Sequence, residues 1–399
     1  MTRRISPITL VAVSLLIAGC GGDERDDVTD SEVPLTWTKS VGGEGFQQAN
    51  AIVAAPGGGY IIAGFVGLGN SSDAYLVKIS TDGDIIWEQT IGGSGFDSVS
   101  SIVATSDGGY LLAGSTNSFG YGGLDSYLLK VDASGNKVWE KAYGGSDDDY
   151  AVFACPIGDG YLVAGNAVGI EVSSTNVVLV RTDATGALRE RNVRGDRSGA
   201  EAYAGAATAD GGAIIAGIDP SSGHAFADVY LIRLDNTVSI RWENTYGGTS
   251  SIRPRSIAPA GEDYIIAGDI RSSAVGESDA YLAKVSGSGT VIWEQTFVSN
   301  HDDELHCAVQ ASDGGFVLAG WTQAVIIRGS DAYLVKASAT GVIEWERTFG
   351  GESFDEAFGV TTTAEGGYIL VGRTASFGTD GGDFYLIKTD AMGEVTPEP

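Results

Sequence analysis

The sequence predicts an all-β fold, a seven-bladed β-propeller of four-stranded antiparallel blades closed by pairing the N-terminal strand with the C-terminal blade. One phrase, written DSYLLKVDASGNKVWEKAYGG at residues 125–145, returns about every 51 residues. The 399 residues include 59 glycines and 2 methionines, which favours short strands and tight turns over helices. The repeat region also begins and ends partway through a unit, as a closed ring requires.

The N-terminus predicts export. Arg3 and Arg4 precede a short apolar stretch at 8–17, and small residues then lead into Cys20, which is the order of a secretory signal peptide. The apolar stretch is too short to span a bilayer. The sequence IAGC at 17–20 resembles the lipobox of bacterial lipoproteins, which implies cleavage before Cys20 and a lipid on its thiol. An ordinary signal peptide is the alternative.

We therefore divide the chain into four segments: a signal peptide at 1–19, a lipidated cysteine and acidic tether at 20–35, the propeller at 36–394, and a tail at 395–399. Several acyl chains on Cys20 would give a lasting membrane anchor. We expect an exported protein that is lipid-anchored in the cell envelope. Gly21, rather than an aspartate, follows Cys20, which favours the outer membrane if the host is Gram-negative.

Charge limits the partners. The formal net charge of −28 disfavours nucleic acid and anionic lipid surfaces, so we expect no nucleic-acid partner. The excess of acidic residues could attract Ca²⁺, the cofactor that this charge would suit, or could serve only to keep the protein in solution. Besides Cys20, the chain has Cys155 and Cys307 in distant repeats, and we expect no disulfide.

Each repeat is predicted to contain four strands, A to D, in a meander. Strands A and B form a hairpin with a glycine-rich turn, and a further glycine ends strand B in each copy, such as Gly114. A glycine at that point indicates close backbone approach. Strand D carries a tryptophan in six copies, and Arg189 takes its place in the seventh. The six are Trp37, Trp87, Trp139, Trp242, Trp293 and Trp345.

Strand C carries the pattern D-x-Y-L-x-K. We interpret its aspartates as structural groups that make the same hydrogen bond in each blade; a ring of metal ligands or catalytic acids is the alternative. The lysines or arginines of the pattern are expected to pair with acids or snorkel. The aspartates are Asp73, Asp125, Asp228, Asp279, Asp331 and Asp383.

The two ends of the repeat region predict ring closure. A D-like strand around Trp37 comes first, and a C-like strand at 383–390 comes last. The first strand can therefore complete the final blade. An open solenoid would instead show a polar cap at each end.

The phrase DGGY-(apolar)2-AG, followed by D-x-Y-L-(apolar)-K and G-x(2–3)-W, resembles the propeller-repeat proteins of bacterial and archaeal envelopes over about residues 36–394. This resemblance implies a fold rather than an activity. LVKISTDGDIIWEQ at 76–89 is also similar to the quinoprotein-type repeat, which implies that Trp87 and its counterparts pack between blades. Quinoprotein dehydrogenases have a vicinal cysteine pair that this chain lacks. An eight-bladed scaffold of the outer-membrane assembly machinery is similar too, but differs in copy number.

The predicted binding surface is the face that carries the D–A and B–C connections, here called the loop face. Its B–C loops are long, as at 115–124, and its D–A loops are acidic. The candidate binding residues are Asp97, Asp149, Asp303 and Asp355. A rim that attracts Ca²⁺ is conceivable because hard cations prefer carboxylate oxygens, although no stretch has the spacing of a known calcium loop.

Other motifs are weak. HDDELHC at 301–307 could surround Zn²⁺ through His301, Asp303, His306 and Cys307, but residues five apart in an extended chain point to opposite sides, and the sequence shows no supporting pair elsewhere. RGD at 194–196 resembles an integrin-binding tripeptide, and chance explains three residues equally well. No G-x-S-x-G motif accompanies His224, and no Walker or dinucleotide motif occurs. We therefore expect no enzyme activity and no metal.

The leading functional hypothesis is a monomeric binding or interaction module for a protein or glycan, attached to the membrane by its N-terminal lipid. An extracellular polysaccharide hydrolase or lyase is one alternative. A non-catalytic scaffold subunit of an envelope assembly complex is the other.

Overall fold

A computed structural model describes residues 36–69, 71–169, 172–193, 199–220, 227–272, 277–323, 329–379 and 381–396. These residues form 28 strands and contain no helix. Accordingly, no helix in the described part of the chain could cross a membrane. The predictions for the signal peptide, Cys20, the tether, RGD at 194–196 and His224 concern positions outside the described residues.

The strands pair into seven antiparallel sheets of four, so the predicted fold class is confirmed. Blade 1 contains β2 (Phe46–Ala54), β3 (Tyr60–Leu68), β4 (Ser71–Ile79) and β5 (Ile85–Ile91). Blade 2 contains β6 (Asp97–Ala104), β7 (Tyr110–Thr116), β8 (Asp125–Val131) and β9 (Lys137–Tyr143). Blade 3 contains β10 (Asp149–Ile157), β11 (Gly160–Gly169), β12 (Val172–Asp183) and β13 (Leu188–Val193). Blade 4 contains β14 (Glu201–Ala207), β15 (Ala213–Asp219), β16 (Asp228–Leu234) and β17 (Ile240–Tyr246). Blade 5 contains β18 (Ser250–Ala260), β19 (Asp263–Ser272), β20 (Ser278–Val285) and β21 (Val291–Phe297). Blade 6 contains β22 (Asp303–Gln310), β23 (Phe316–Gln323), β24 (Ser330–Ala337) and β25 (Ile343–Phe349). Blade 7 contains β26 (Asp355–Thr362), β27 (Tyr368–Thr374), β28 (Asp383–Thr389) and the N-terminal strand β1 (Trp37–Val41).

The ring closes as predicted. Strand β1 pairs antiparallel with β28, in a register that runs from Trp37 opposite Lys388 to Val41 opposite Phe384. The amide of Thr396 also donates a hydrogen bond to Thr36 Oγ1 at 2.7 Å. Both ends of the described chain are thus fixed in blade 7.

The core lies between blades as well as within them. Every residue of β7 and β8 is buried, because neighbouring blades cover both faces of the sheet. One apolar cluster, for example, joins Leu76 of blade 1 to Tyr110 and Leu129 of blade 2. This arrangement explains why the B and C strands are almost wholly apolar rather than alternating.

The glycine that ends strand B permits close backbone contact, as the repeat predicts. A Cβ added to Gly114 would lie 2.0 Å from the carbonyl oxygen of Ser98 in the adjacent A strand. The same contact, at 1.8 to 2.0 Å, recurs at Gly64, Gly165, Gly217, Gly268, Gly320 and Gly372. No side chain fits there.

Each tryptophan of strand D packs against the C–D turn of the following blade. A Cβ on Gly135, a turn residue with a φ of 78°, would lie 2.6 Å from the indole of Trp87. The other pairs are Trp37 with Gly83, Trp139 with Gly186, Trp242 with Gly289, Trp293 with Gly341, and Trp345 with Gly393. Where Arg189 replaces the tryptophan, the turn of the next blade has Val238 at the equivalent position, with a φ of 67°.

Val238 therefore occupies a left-handed conformation that a β-branched residue adopts only with strain. We expect Val238→Gly to raise the free energy of unfolding by about 1 kcal/mol, because relief of this strain outweighs the loss of a half-buried side chain. Urea unfolding measures the effect. The matched change Gly135→Val should act in the opposite direction, since the new side chain would meet Trp87. Equal effects of the two changes would contradict this explanation.

Candidate functional site

A β-bulge interrupts the A strand of each blade. The bulge lies in the first half of the strand, near the loop face, and leaves one residue without a partner in strand B. The seven bulged residues are Asn50, Ser100, Val152, Tyr203, Arg255, His306 and Phe358. Bulges commonly redirect side chains next to binding and catalytic sites.

All seven bulged residues line one cavity of about 400 Å³. Because the A strands of all the blades contribute to it, this cavity is the central channel of the propeller. The blades are similar elsewhere but differ at the bulge, which offers amide, hydroxyl, guanidinium, imidazole and aromatic groups. The channel is therefore a chemically varied surface.

The channel was not identified from the sequence. The repeat shows which residues recur, whereas a bulge is a change of strand register that recurrent residues do not reveal. The sequence signal that could have revealed the channel is a position in each A strand whose residue differs from one repeat to the next. Examples are AYAG around Tyr203 and LHCA around His306. The prediction looked for variation in the loops alone.

Blade 5 holds the channel residue Arg255 and the nearby Arg253 in fixed positions. Arg255 Nε donates to Asp269 Oδ1 at 3.0 Å, and its Nη2 donates to Glu304 Oε2 of blade 6 at 2.8 Å. Arg253 Nε donates to Asp269 Oδ2 at 3.1 Å. Asp269 is fully buried and also accepts a hydrogen bond from Ser278 Oγ at 3.2 Å. Such charge-assisted bonds orient the guanidinium groups.

Glu304 is held in its ionised form. Burial alone would raise its pKa, but the His306 side chain and the charges of Arg255 and Arg253 outweigh burial and bring the pKa below its ordinary value. His306 Nε2 lies 3.5 Å from Glu304 Oε2, and the imidazole packs edge-on against Phe358 with ring centroids 5.1 Å apart. This part of the wall thus combines ionic and aromatic groups.

Tyr203 is the neutral polar group beside this ionic wall. Its hydroxyl donates to Glu201 Oε2 at 2.8 Å. Burial, and then the hydrogen bond to Glu201, raise the pKa of Tyr203 above its ordinary value, so the phenol keeps its proton.

The candidate binding residues Asp97, Asp149, Asp303 and Asp355 begin the A strands β6, β10, β22 and β26 and are buried. Asp97 Oδ2 accepts hydrogen bonds from the Gly93 amide at 2.8 Å and from Ser118 Oγ at 2.6 Å. Asp355 makes the equivalent bonds to Gly351 and Ser376, so Asp97 and Asp355 each connect a D–A loop and a B–C loop to the blade. Within the described residues, no group of three or more His, Cys, Asp or Glu could hold a metal ion. A role in Ca²⁺ binding stays a prediction.

Most tyrosines and basic residues of the D-x-Y-L-x-K pattern have a partner of the same kind in their blade. The tyrosine hydroxyl bonds the glutamate of strand D, in the pairs Tyr75–Glu88, Tyr127–Glu140, Tyr281–Glu294 and Tyr333–Glu346. The lysine or arginine pairs with an acid of the A–B turn, as Lys130–Asp107, Arg181–Asp159, Arg233–Asp210, Lys284–Asp263, Lys336–Asp313 and Lys388–Glu365. These contacts account for the motif in structural terms.

The aspartate of that motif also faces the next blade. A Cβ on Gly92 would lie 2.0 Å from Asp73 Oδ1 and 2.7 Å from Asp97 Oδ2, so the two carboxylates are within about 5 Å of each other. Asp125 and Asp149 flank Gly144 in the same way, as Asp331 and Asp355 flank Gly350. Burial, and then the neighbouring aspartate, raise the pKa values of Asp73 and Asp331. For Asp125, burial and Asp149 outweigh a bond from the Tyr121 amide.

These carboxyl pairs predict a pH dependence. A folded-state pKa above the unfolded value means that stability is greatest when the group is protonated and falls as the pH rises through the folded pKa. The double variant Asp73→Asn, Asp331→Asn should therefore gain about 1 kcal/mol or more at pH 7, since two like-charge pairs are removed. The gain should vanish below the pKa values of ordinary aspartates. Urea unfolding from pH 3 to pH 8 measures it.

Asp383 provides the matched control for this experiment. It faces Gln47 across Gly42, and the side-chain atoms nearest to a Cβ on Gly42 belong to Asp383 and Gln47 rather than to two carboxylates. Asp383→Asn should give no gain at pH 7. A gain that is constant at every pH in the double variant would show that charge repulsion is not the cause.

The residues of HDDELHC separate in the structure. Asp303 begins β22, His306 lies at the bulge and faces the channel, and His301 lies in the preceding D–A loop. Cys307 and Cys155 are both free thiols, in blades 6 and 3.

Fold and channel together define a seven-bladed β-propeller with a chemically varied central cavity. Comparison with protein-family models and with curated proteins finds no match. Among solved structures, the chain is similar to a candidate 6-phosphogluconolactonase from Bacteroides fragilis, at 11% identity and a TM-score of 0.52, covering 84% of this chain and 92% of that one. A second such protein, from Bacteroides uniformis, has 10% identity, a TM-score of 0.50 and coverage of 88% and 94%.

Sqt1 of Chaetomium thermophilum, bound to the N-terminus of ribosomal protein L10, is similar at 14% identity and a TM-score of 0.47, with 82% of each chain covered. At these identities the likeness shows the propeller fold alone.

Proposed function

We propose that the protein is a non-catalytic binding module of the cell envelope, attached by a lipid on Cys20, which holds a protein or glycan ligand at the loop face and in the central channel. One observation carries this proposal. The A-strand bulges place a different side chain from each blade around a single cavity. A purely structural repeat gives no reason for that variation, whereas a binding surface requires it.

Non-catalytic function agrees with the acids found near the channel. Hydrolysis of a glycoside needs one protonated and one ionised carboxyl group beside the substrate. Here Glu304 is held ionised by its neighbours, and Asp269 is fully buried and bonded to Arg253 and Arg255. Neither carboxylate lines the cavity.

A channel-blocking variant tests the binding site. Ser100→Trp would place an indole in the cavity, and we expect it to abolish capture of the ligand identified by screening the propeller against glycan arrays and envelope extracts. Ser134→Trp, on an exposed C–D turn of the same blade, is the matched control and should bind normally. Full binding by a correctly folded Ser100→Trp protein would remove the channel from the proposal.

The membrane attachment is tested separately. We expect Cys20→Ser to release the protein from the membrane fraction and to end labelling with a radioactive fatty acid. Membrane retention with continued labelling would contradict the lipid anchor and would leave the channel proposal unaffected.

A further inference from the structure

The channel has an unusual charge for this protein. The chain carries 52 acidic residues and 24 lysines and arginines. Yet the residues that line the cavity include Arg255 and His306 and no aspartate or glutamate. The acids that bond Arg255, namely Asp269 and Glu304, do not line the cavity. The channel thus presents a guanidinium group, and no carboxylate, to a ligand inside a strongly negative molecule.

On the basis of the proposed binding function, we infer that the channel binds a hexuronate, that is, a sugar whose carboxylate lies against Arg255 and whose hydroxyls meet the polar groups around the cavity. Four features of the lining carry this inference: a fixed guanidinium group, an unpartnered polar atom, a set of hydroxyl and amide groups, and an aromatic ring.

The fixed guanidinium group belongs to Arg255. Its Nε and Nη2 are held by Asp269 and Glu304, so the guanidinium has one orientation before a ligand arrives. A guanidinium binds a carboxylate by paired hydrogen bonds with high geometric selectivity. The side chain is 22% exposed, which leaves part of it accessible from the channel.

One polar atom in the wall has no protein partner. Ser101 Oγ in blade 2 is buried and makes no hydrogen bond within the described residues. Ser101 lines the cavity. A buried polar atom without a partner is costly, and a ligand with several hydroxyl groups would supply the missing bonds.

The remainder of the lining suits a sugar ring. Asn50, Ser100, Ser256 and Tyr203 add amide and hydroxyl groups, and Phe358 adds an aromatic surface for the apolar C–H face of a pyranose. A cavity of about 400 Å³ is of the size that small-molecule sites have. A peptide carboxyl terminus would use the cation but would leave most of the hydroxyl groups unmatched.

Calorimetry with the intact propeller tests this inference. The probes are methyl glycosides of galacturonate and glucuronate, their uncharged methyl esters, and an acetylated dipeptide with a free carboxylate. We expect a uronate to bind at least tenfold more tightly than its ester and than the dipeptide. Arg255→Gln should remove this preference, with a tenfold or greater loss of uronate affinity, because a hydrogen bond between charged groups is lost.

Two variants make the result specific. Arg373→Gln removes an arginine that also borders the loop face but is bonded to Glu356 at 2.9 Å and 3.0 Å and does not line the cavity, so uronate binding should be unchanged. If Arg255→Gln fails to fold, Arg255→Lys keeps the charge and loses the planar fork, and it should lose part of the affinity.

The outcomes separate the ligand class from the binding function. Equal binding of uronate and ester, or binding that Arg255→Gln leaves intact, overturns the hexuronate and leaves the binding module standing if Ser100→Trp still blocks capture. Preference for the dipeptide overturns it in favour of a protein partner. Absence of binding by every probe, together with ligand capture that Ser100→Trp does not affect, overturns both.

Discussion

Replacing Gly114 by alanine is expected to lower the free energy of unfolding by about 3 kcal/mol, the upper end of the range for overpacked sites. The new methyl group would lie 2.0 Å from the Ser98 carbonyl oxygen and 2.8 Å from its carbon. Both atoms belong to the backbone of a paired strand, so neither can move without breaking hydrogen bonds between β6 and β7. Urea unfolding followed by tryptophan fluorescence measures the change.

Gly145 provides the control for this experiment. It lies in the D–A loop after the same blade, and no atom lies within 4 Å of the Cβ that alanine would add. Gly145→Ala should therefore change stability by less than about 0.5 kcal/mol. Similar losses in the two variants would mean that general loss of glycine flexibility, rather than the contact with Ser98, determines the cost.

The repeat made the fold predictable because its recurrent residues are those that the blade geometry requires. Gly114 and its counterparts occur where two strands touch, Trp87 and its counterparts occur where blades touch, and both can be recognised by recurrence. Closure followed from the positions of a first strand around Trp37 and a last strand at 383–390. Local chemistry and global architecture agree at each of these positions.

The channel was not predictable in the same way. Asp97 and Asp355 stand out in the sequence as acids in loops, but the structure shows them at the buried start of a strand, where each binds loop amides and hydroxyls. Arg255 does not stand out, because its importance depends on Asp269 and Glu304, which are distant in sequence or belong to the next blade. Contacts between different repeats cannot be read from one repeat.

Trp37 should stabilise the contact between blade 7 and blade 1, where the ring closes, more than the other strand-D tryptophans stabilise the contacts between their blades. Trp37 is 5% exposed, whereas the five other strand-D tryptophans are only partly buried. Its Nε1 donates to the Thr81 carbonyl oxygen at 3.4 Å, and its ring packs on Gly83 of blade 1. We expect Trp37→Ala to lower the free energy of unfolding by about 4 kcal/mol, as large-to-small changes of buried aromatics do.

Two comparisons show whether this cost belongs to closure. Thr38→Ala changes the exposed neighbour in the same strand and should have little effect, while Trp139→Ala removes a half-buried tryptophan at an interior junction and should cost less than Trp37→Ala. The difference arises because β1 is not joined to β28 through the chain. Its pairing with β28, the packing of Trp37 and Val41, and the bond between Thr396 and Thr36 hold it in blade 7. In Trp37→Ala, amides of β28 should also exchange with solvent earlier than those of β27. Equal losses for Trp37→Ala and Trp139→Ala, with no such change in exchange, would mean that the ring has no weaker junction at its closure.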